Sequence, residues 1–170
     1  MGVRTILPPY LRALRSPDFR LYFAGQTISL AGTWMQQAAM LWLAYRVSDS
    51  PFMLGAIGFA SQIPILIFGA FGGVWIDRVD RRRLLMWTQA LSMVQSLLLA
   101  GLAWFELASS GVLLLLAFSL GCLNAIDVPA RQSIAAQLVE HPGDLQNAIA
   151  LNSIAIQLGR FVGPALAGIV

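Results

Sequence analysis

The sequence predicts an all-α fold, a multi-pass bundle of transmembrane helices, from three observations. Of the 170 residues, 58% are hydrophobic and only 11% are charged, whereas a soluble domain carries about a quarter charged residues. The mean hydropathy is +0.72. The charges are also clustered, so that charge-free stretches alternate with short charged segments, and about 20 apolar residues suffice to cross a bilayer. These features exclude a water-soluble enzyme.

The chain contains five such stretches, which together are expected to form a transmembrane bundle over residues 21–170. Residues 1–20 precede the bundle as a cytoplasmic N-terminal segment. The expected spans are residues 21–45, 51–76, 84–105, 112–132 and 145–170. The first span follows Ser16 and Pro17, and the second begins at Ser50 and Pro51. In both places a capping hydroxyl precedes a proline at the first helical position, which is typical of a helix start.

The remaining spans are delimited by charges and turn residues. The third ends before Glu106, and the turn at residues 108–111 separates it from the fourth. The fourth has charges only near its far end, and the fifth follows Pro142 and Gly143, where Asp144 can cap the helix.

The distribution of arginine predicts the orientation. Nine of the 11 arginines lie on one side: Arg4, Arg12, Arg15, Arg20, Arg78, Arg81, Arg82, Arg83 and Arg131. Since basic residues mark the cytoplasmic side, we expect a multi-pass protein of the cytoplasmic (inner) membrane with a cytoplasmic N-terminus. The basic run between the second and third spans is better explained by topology and lipid phosphates than by nucleic-acid binding, which we do not expect.

The loop after the second span carries a recognisable motif. Gly73 is followed by three residues, then Asp77 and Arg78, a turn, and two basic residues, Arg81 and Arg82. This pattern resembles the loop signature of the major facilitator superfamily, in which it forms part of a gating charge network. The resemblance implies that role here, while a purely topological role for the arginines is the alternative. The usual turn glycine is replaced by Asp80, which tolerates a left-handed backbone well enough to keep the turn feasible.

The fifth span carries a second motif. Gly159, Gly163, Pro164 and Gly168 follow the spacing of the antiporter motif of the same superfamily, which occurs in the fifth helix of exporters. The proline removes a backbone hydrogen bond and the glycines permit close helix contact. The resemblance implies export, and a generic kinked packing helix is the alternative.

Three further segments, residues 19–26, 127–132 and 147–153, are similar to the enterobactin-exporter-like, or transmembrane secretion effector, branch. The resemblance implies the N-terminal part of a major facilitator fold, about five of its twelve helices. It also implies efflux of a small organic molecule such as a siderophore or drug. The remaining helices are expected to be missing from this chain or to lie on a second chain.

Polar residues inside the spans are the candidates for function. Arg160 lies about 22 Å into the fifth span at about 1.5 Å per residue, and an intramembrane arginine needs partners. We expect it to bind cargo or a coupling ion together with Gln36, Asn124 and Gln157. The alternatives are a structural arginine with polar neighbours and amides that form interhelical hydrogen bonds.

Asp127 and Arg131 are four residues apart and are therefore expected to pair near the cytoplasmic end of the fourth span. The pair is either an anchor or part of a gate network shared with Asp77 and Arg78.

The leading hypothesis is secondary active transport, proton-coupled efflux by alternating access. The alternative is a truncated half-transporter that acts as a membrane scaffold or assembly partner without transport of its own. The expected partners are a small-molecule substrate, protons and the lipid bilayer. The sequence has no Walker loop, HExxH motif or nucleophile elbow, and its one cysteine is Cys122. We therefore expect no enzyme activity, cofactor or metal.

Overall fold

The computed structural model describes residues 9–76, 79–138 and 142–169. The regular structure of these residues is helical throughout, which confirms the all-α prediction. Two short 3-10 helices, Pro9–Arg15 and Pro142–Asp144, precede the first and the last long helix. The five long helices are α1 (Pro17–Ser48), α2 (Pro51–Ile76), α3 (Arg81–Trp104), α4 (Ser110–Gln137) and α5 (Leu145–Ala167).

Several helices extend beyond the expected spans. The bounds of α2 agree with the expected second span, but α1 begins four residues before residue 21 and α4 continues to Gln137. Charges limit the part of a helix that enters hydrocarbon and do not by themselves end the helix. Ser110 and Gly111, which we assign to a turn, already belong to α4.

Four helices are long and apolar enough to cross a membrane. The qualifying segments of the described chain are Pro51–Phe68, Arg81–Trp104, Ser110–Ile134 and Leu145–Ala167. Helix α1 is the longest, with 32 residues, but amides such as Gln26, Gln36 and Gln37 lower its hydropathy. That α1 crosses the bilayer stays a prediction.

Local hydrogen bonds explain where the helices begin. The Phe19 N–H donates to Ser16 Oγ at 3.5 Å, as expected of a cap. The Asp80 carboxylate caps α3 by accepting from the N–H groups of Arg82 and Arg83 at 3.0 and 3.2 Å. Asp80 is extended, with φ of −61°, so the turn does not use a left-handed conformation there. Asp144 occupies the cap position of α5 but makes no side-chain cap bond, which corrects our expectation.

The turns after α1 and α3 each contain a left-handed residue. Asp49 has φ of 46° after α1, and Glu106 has φ of 56° after α3. The Leu107 N–H donates to the Leu102 carbonyl at 2.9 Å, which closes the end of α3. Such a residue after a helix lets the chain reverse within a few positions.

The described residues belong to two compact units, one within residues 1–35 and 132–170, the other within residues 36–131. In the first unit, the N-terminal 3-10 helix packs on the start of α5. The Ala13 N–H donates to Asn147 Oδ1 at 2.9 Å, and Ser16 Oγ donates to the Leu138 carbonyl at 3.1 Å. The apolar core of this unit consists of Ala13, Phe19, Ala148 and Leu151.

The second unit holds the later part of α1 with α2, α3 and most of α4. Its core residues come from all four helices: Met40, Leu43, Ala44, Met53, Ile57, Leu99, Leu113 and Ala117. Helices α2 and α4 approach closely where Gly121 faces the Ser61 carbonyl and the ring of Pro64. A side chain on residue 121 would collide with that carbonyl, so the crossing requires glycine.

Candidate functional site

A buried carboxylate joins α3 to α4. Asp127 is 4% exposed, and its Oδ1 accepts hydrogen bonds from Thr88 Oγ1 at 2.7 Å and Gln89 Nε2 at 3.0 Å. Its Oδ2 pairs with Nε of Arg131, one turn further along α4 and 7% exposed. Both carboxylate oxygens are therefore bonded, which offsets part of the cost of burying the charge.

Of the four residues in this cluster, the sequence predicts that two, Asp127 and Arg131, come together. The four-residue spacing brings Asp127 and Arg131 together, and Gln89 is one of the polar residues inside a span. Thr88 is the residue that sequence reasoning missed, because it is 39 residues from Asp127 and its side chain is common in apolar helices. The structure thus adds two donors on α3 to the pair on α4.

The loop motif is described only in part. Asp77 and Arg78 lie outside the described residues, so a gate network that includes them stays a prediction. Gly73 belongs to α2, while Arg81 and Arg82 form the first turn of α3.

Gln36, a candidate for the cargo site, belongs to a hydrogen-bonded network between helices, and its role in binding cargo stays a prediction. Its Nε2 donates to Gln95 Oε1 at 2.7 Å, and its Oε1 accepts from Ser96 Oγ at 2.6 Å. Gln95 is 5% exposed and donates in turn to the Leu116 carbonyl at 2.9 Å. This network joins α1, α3 and α4, the structural alternative that we considered for the amides.

The glycines of the antiporter-like motif lie against α1. A Cβ on Gly159 would lie 3.1 Å from Leu30 Cβ, and one on Gly163 would lie 2.8 Å from both the Ala31 carbonyl oxygen and the Met35 nitrogen. Both glycines are buried, so the backbones of α5 and α1 touch over about one turn. Pro164 and Gly168 are exposed at the end of α5.

Arg160 lies between these two glycines in the chain but on another side of α5. It is exposed, and its guanidinium carbon is 5.3 Å from the centre of the Trp34 ring, a cation–π contact. Gln157 is also exposed, and Asn124 on α4 is half-buried. Arg160 and Gln157 belong to the first unit and Gln36 and Asn124 to the second, so the four candidates are divided between the two units.

These features are typical of membrane proteins, in which glycines mediate helix contacts and charged or amide side chains within apolar helices mark candidate functional sites. The model of the transmembrane secretion effector family matches residues 9–170. The chain belongs to this family, a branch of the major facilitator superfamily of transporters, and it is a multi-pass membrane protein with a partial major facilitator fold.

Two curated relatives support this assignment. The chain is 28% identical over 152 residues to a protein named Staphyloferrin A transporter from Staphylococcus aureus (strain NCTC 8325 / PS 47), covering 89% of this chain and 38% of that protein. It is 27% identical over 149 residues to an uncharacterised MFS-type transporter, YfiS, from Bacillus subtilis (strain 168), covering 85% of this chain and 34% of that one. The chain therefore spans little more than a third of these relatives, and no solved structure matches it significantly.

Membership of a transporter family points away from an enzyme. Among the described residues, no three His, Cys, Asp or Glu side chains are grouped so that they could hold a metal ion.

Proposed function

We propose that this chain acts in secondary active transport, as part of a machine that exports a small organic molecule from the cytoplasm in exchange for protons. The family match over residues 9–170 carries the proposal. The name of the relative in Staphylococcus aureus suggests a siderophore as the class of cargo. The cluster of arginines on one side suggests an inner-membrane location with a cytoplasmic N-terminus.

Alternating access requires helix pairs that move as units around a binding site. The close contacts of α5 with α1 at Gly159 and Gly163 fit such a unit, since backbones in contact resist sliding. In the proposed mechanism this motif limits leakage, and the loop motif forms a gate with the ion pair of α4. The gate residues would be Gly73, Asp77, Arg78, Arg81, Arg82, Asp127 and Arg131.

Asp127 is the candidate proton carrier. It is the one acidic residue within the four membrane-crossing segments of the described chain. Protonation would neutralise the carboxylate and weaken both its bond to Arg131 and the hydrogen bonds it accepts from Thr88 and Gln89 on α3, so that proton binding would change the contact between α3 and α4.

The test is transport by inside-out membrane vesicles that contain the full chain. With an acidic lumen, we expect uptake of labelled staphyloferrin A that stops when a protonophore collapses the gradient. The Asp127→Asn variant should lose this uptake, and a matched Asp144→Asn variant, altered outside the spans, should keep it. Protease protection and size-exclusion profiles establish that each variant is inserted and folded.

Uptake that persists unchanged without a proton gradient would refute proton coupling. No uptake of any probe by correctly inserted chain would favour the scaffold alternative.

A further inference from the structure

Helix α5 has three distinct faces. Its buried residues recur every three or four positions and form one face, which packs on α1 at the two glycines: Ala148, Leu151, Ala155, Gly159 and Gly163. At about 100° per residue, Ser153, Gln157 and Arg160 lie within roughly 60° of one another on the opposite side. All three are exposed. A third face carries large exposed apolar residues, Ile154, Leu158 and Phe161.

The polar face is poorly suited to contact with lipid. Charged and amide side chains on a membrane-crossing helix are costly against hydrocarbon and face a bundle interior or a water-filled cavity. The apolar face of α5 offers a suitable lipid contact, and the glycine face is already occupied by α1. The face with Ser153, Gln157 and Arg160 is therefore the one that fits a bundle interior or a water-filled path.

The N–H donors of Arg160 on this face remain available for a ligand. Its contact in the described chain is with the Trp34 ring, and no hydrogen bond or ion pair to another described residue accompanies it. A cation above a ring face keeps its N–H groups available, since the attraction comes from the ring quadrupole. A guanidinium has five N–H donors in a fork that matches two oxygens of a planar anion.

We propose that this polar face of α5 binds a carboxylate group of the transported molecule, with Arg160 as the binding cation and Gln157 as a neutral hydrogen-bond donor, whereas the Ser153 hydroxyl already donates to the Ile149 carbonyl at 3.0 Å. The inference rests on the proposed transport function and adds the class of cargo, an organic carboxylate. A single guanidinium balances one negative charge, which favours a carboxylate over a doubly charged phosphate. Trp34 holds the guanidinium in place through the ring contact.

Binding can be measured without transport. The full chain in lipid nanodiscs is titrated into 1-naphthoate, and the fluorescence anisotropy of the probe reports binding. The neutral 1-naphthamide has the same apolar body, and empty nanodiscs correct for partition into lipid. We expect naphthoate to bind more tightly than naphthamide.

The Arg160→Gln variant should weaken naphthoate binding by about 10- to 100-fold, the loss expected for hydrogen bonds to a charged group, and leave naphthamide unchanged. Arg160→Lys should lie between, because it keeps the charge but loses the fork. The matched control is Arg46→Gln. Arg46 also lies over a tryptophan, 5.2 Å from the centre of the Trp42 ring, but at the end of α1, and its loss should leave both affinities unchanged.

Equal affinity for the two probes, an equal loss of both in Arg160→Gln, or the same loss in Arg46→Gln would overturn the carboxylate site. Failure of this inference and failure of the proposed function are distinguishable. If vesicles transport staphyloferrin A but the Arg160→Gln variant keeps its affinity for naphthoate, the carboxylate site is refuted and the transport function is not. If the chain in nanodiscs binds naphthoate through Arg160 but vesicles transport nothing, the carboxylate site is supported and the transport function is not.

Discussion

Replacing Gly163 with alanine should push α5 away from α1. A Cβ at this position would lie 2.6 Å from Trp34 Cβ and 2.8 Å from both the Ala31 carbonyl oxygen and the Met35 nitrogen. Ordinary van der Waals contact begins near 3.4 Å. Two of the three neighbours are backbone atoms, so no rotation of a side chain can relieve the overlap.

The magnitude follows from two opposed effects. Overpacking a close contact costs about 1–3 kcal/mol. Alanine is better than glycine inside a helix by about 0.5–1 kcal/mol. The net expectation for Gly163→Ala is a loss of stability on the order of 1–2 kcal/mol.

The measurement is thermal unfolding of the purified chain in detergent, followed by the loss of helical circular dichroism. Gly32 provides a matched control, because it lies on α1 beside Ala31 and a Cβ there meets no atom within 4 Å. Gly32→Ala should be neutral or slightly stabilising, and Gly163→Ala should unfold several degrees lower. If the two variants unfold at the same temperature, the close contact of α5 with α1 is refuted.

Three further outcomes are expected. Asp127→Asn should destabilise the chain by about 3–5 kcal/mol because it breaks the buried ion pair with Arg131, and a double-mutant cycle of Asp127 and Arg131 on unfolding should show coupling rather than additivity. Glu106→Gly should stabilise by about 1 kcal/mol in the same unfolding assay, since glycine adopts the left-handed backbone without strain. Asn147→Ala removes the acceptor for the Ala13 N–H and should speed trypsin cleavage in the N-terminal 3-10 helix, unless that helix is held by its apolar contacts alone.

The helices were predictable because their signals are local. Charge-free length, a serine before a proline and clustered arginines each act within a few residues. Helices α1 and α2 begin at the predicted prolines, whereas α3 and α4 begin at Arg81 and Ser110, before the expected residues 84 and 112. The ends were less predictable. The sequence gives no sign that Glu106 turns left-handed, because that conformation is imposed by the closing hydrogen bonds of α3. Asp80 caps α3 in an extended conformation, although its place in a turn motif suggested a left-handed one.

Whether the sequence predicts a site depends on how far apart the residues of that site lie in the chain. Asp127 and Arg131 are one turn apart on the same helix, so spacing alone predicts that they can meet. Thr88, which bonds Asp127 from α3, depends on how two helices are aligned, and neither periodicity nor composition specifies that alignment. The sequence also does not show which helix a glycine contacts. Small residues such as Gly121 and Gly163 indicate a close contact, but they do not identify the other helix.

The partners of a polar residue inside a span indicate whether its role is structural. Gln36 has both ends of its amide bonded to Gln95 and Ser96, so its burial contributes to holding helices together. Arg160 is exposed on α5, and its contact is with the ring of Trp34 on α1 rather than with a carboxylate. A group whose bonds are already made inside the protein gains little from a ligand, while a charge without an anion gains much. Our proposal of a cargo-binding residue therefore favours Arg160, whose N–H donors remain available, over Gln36.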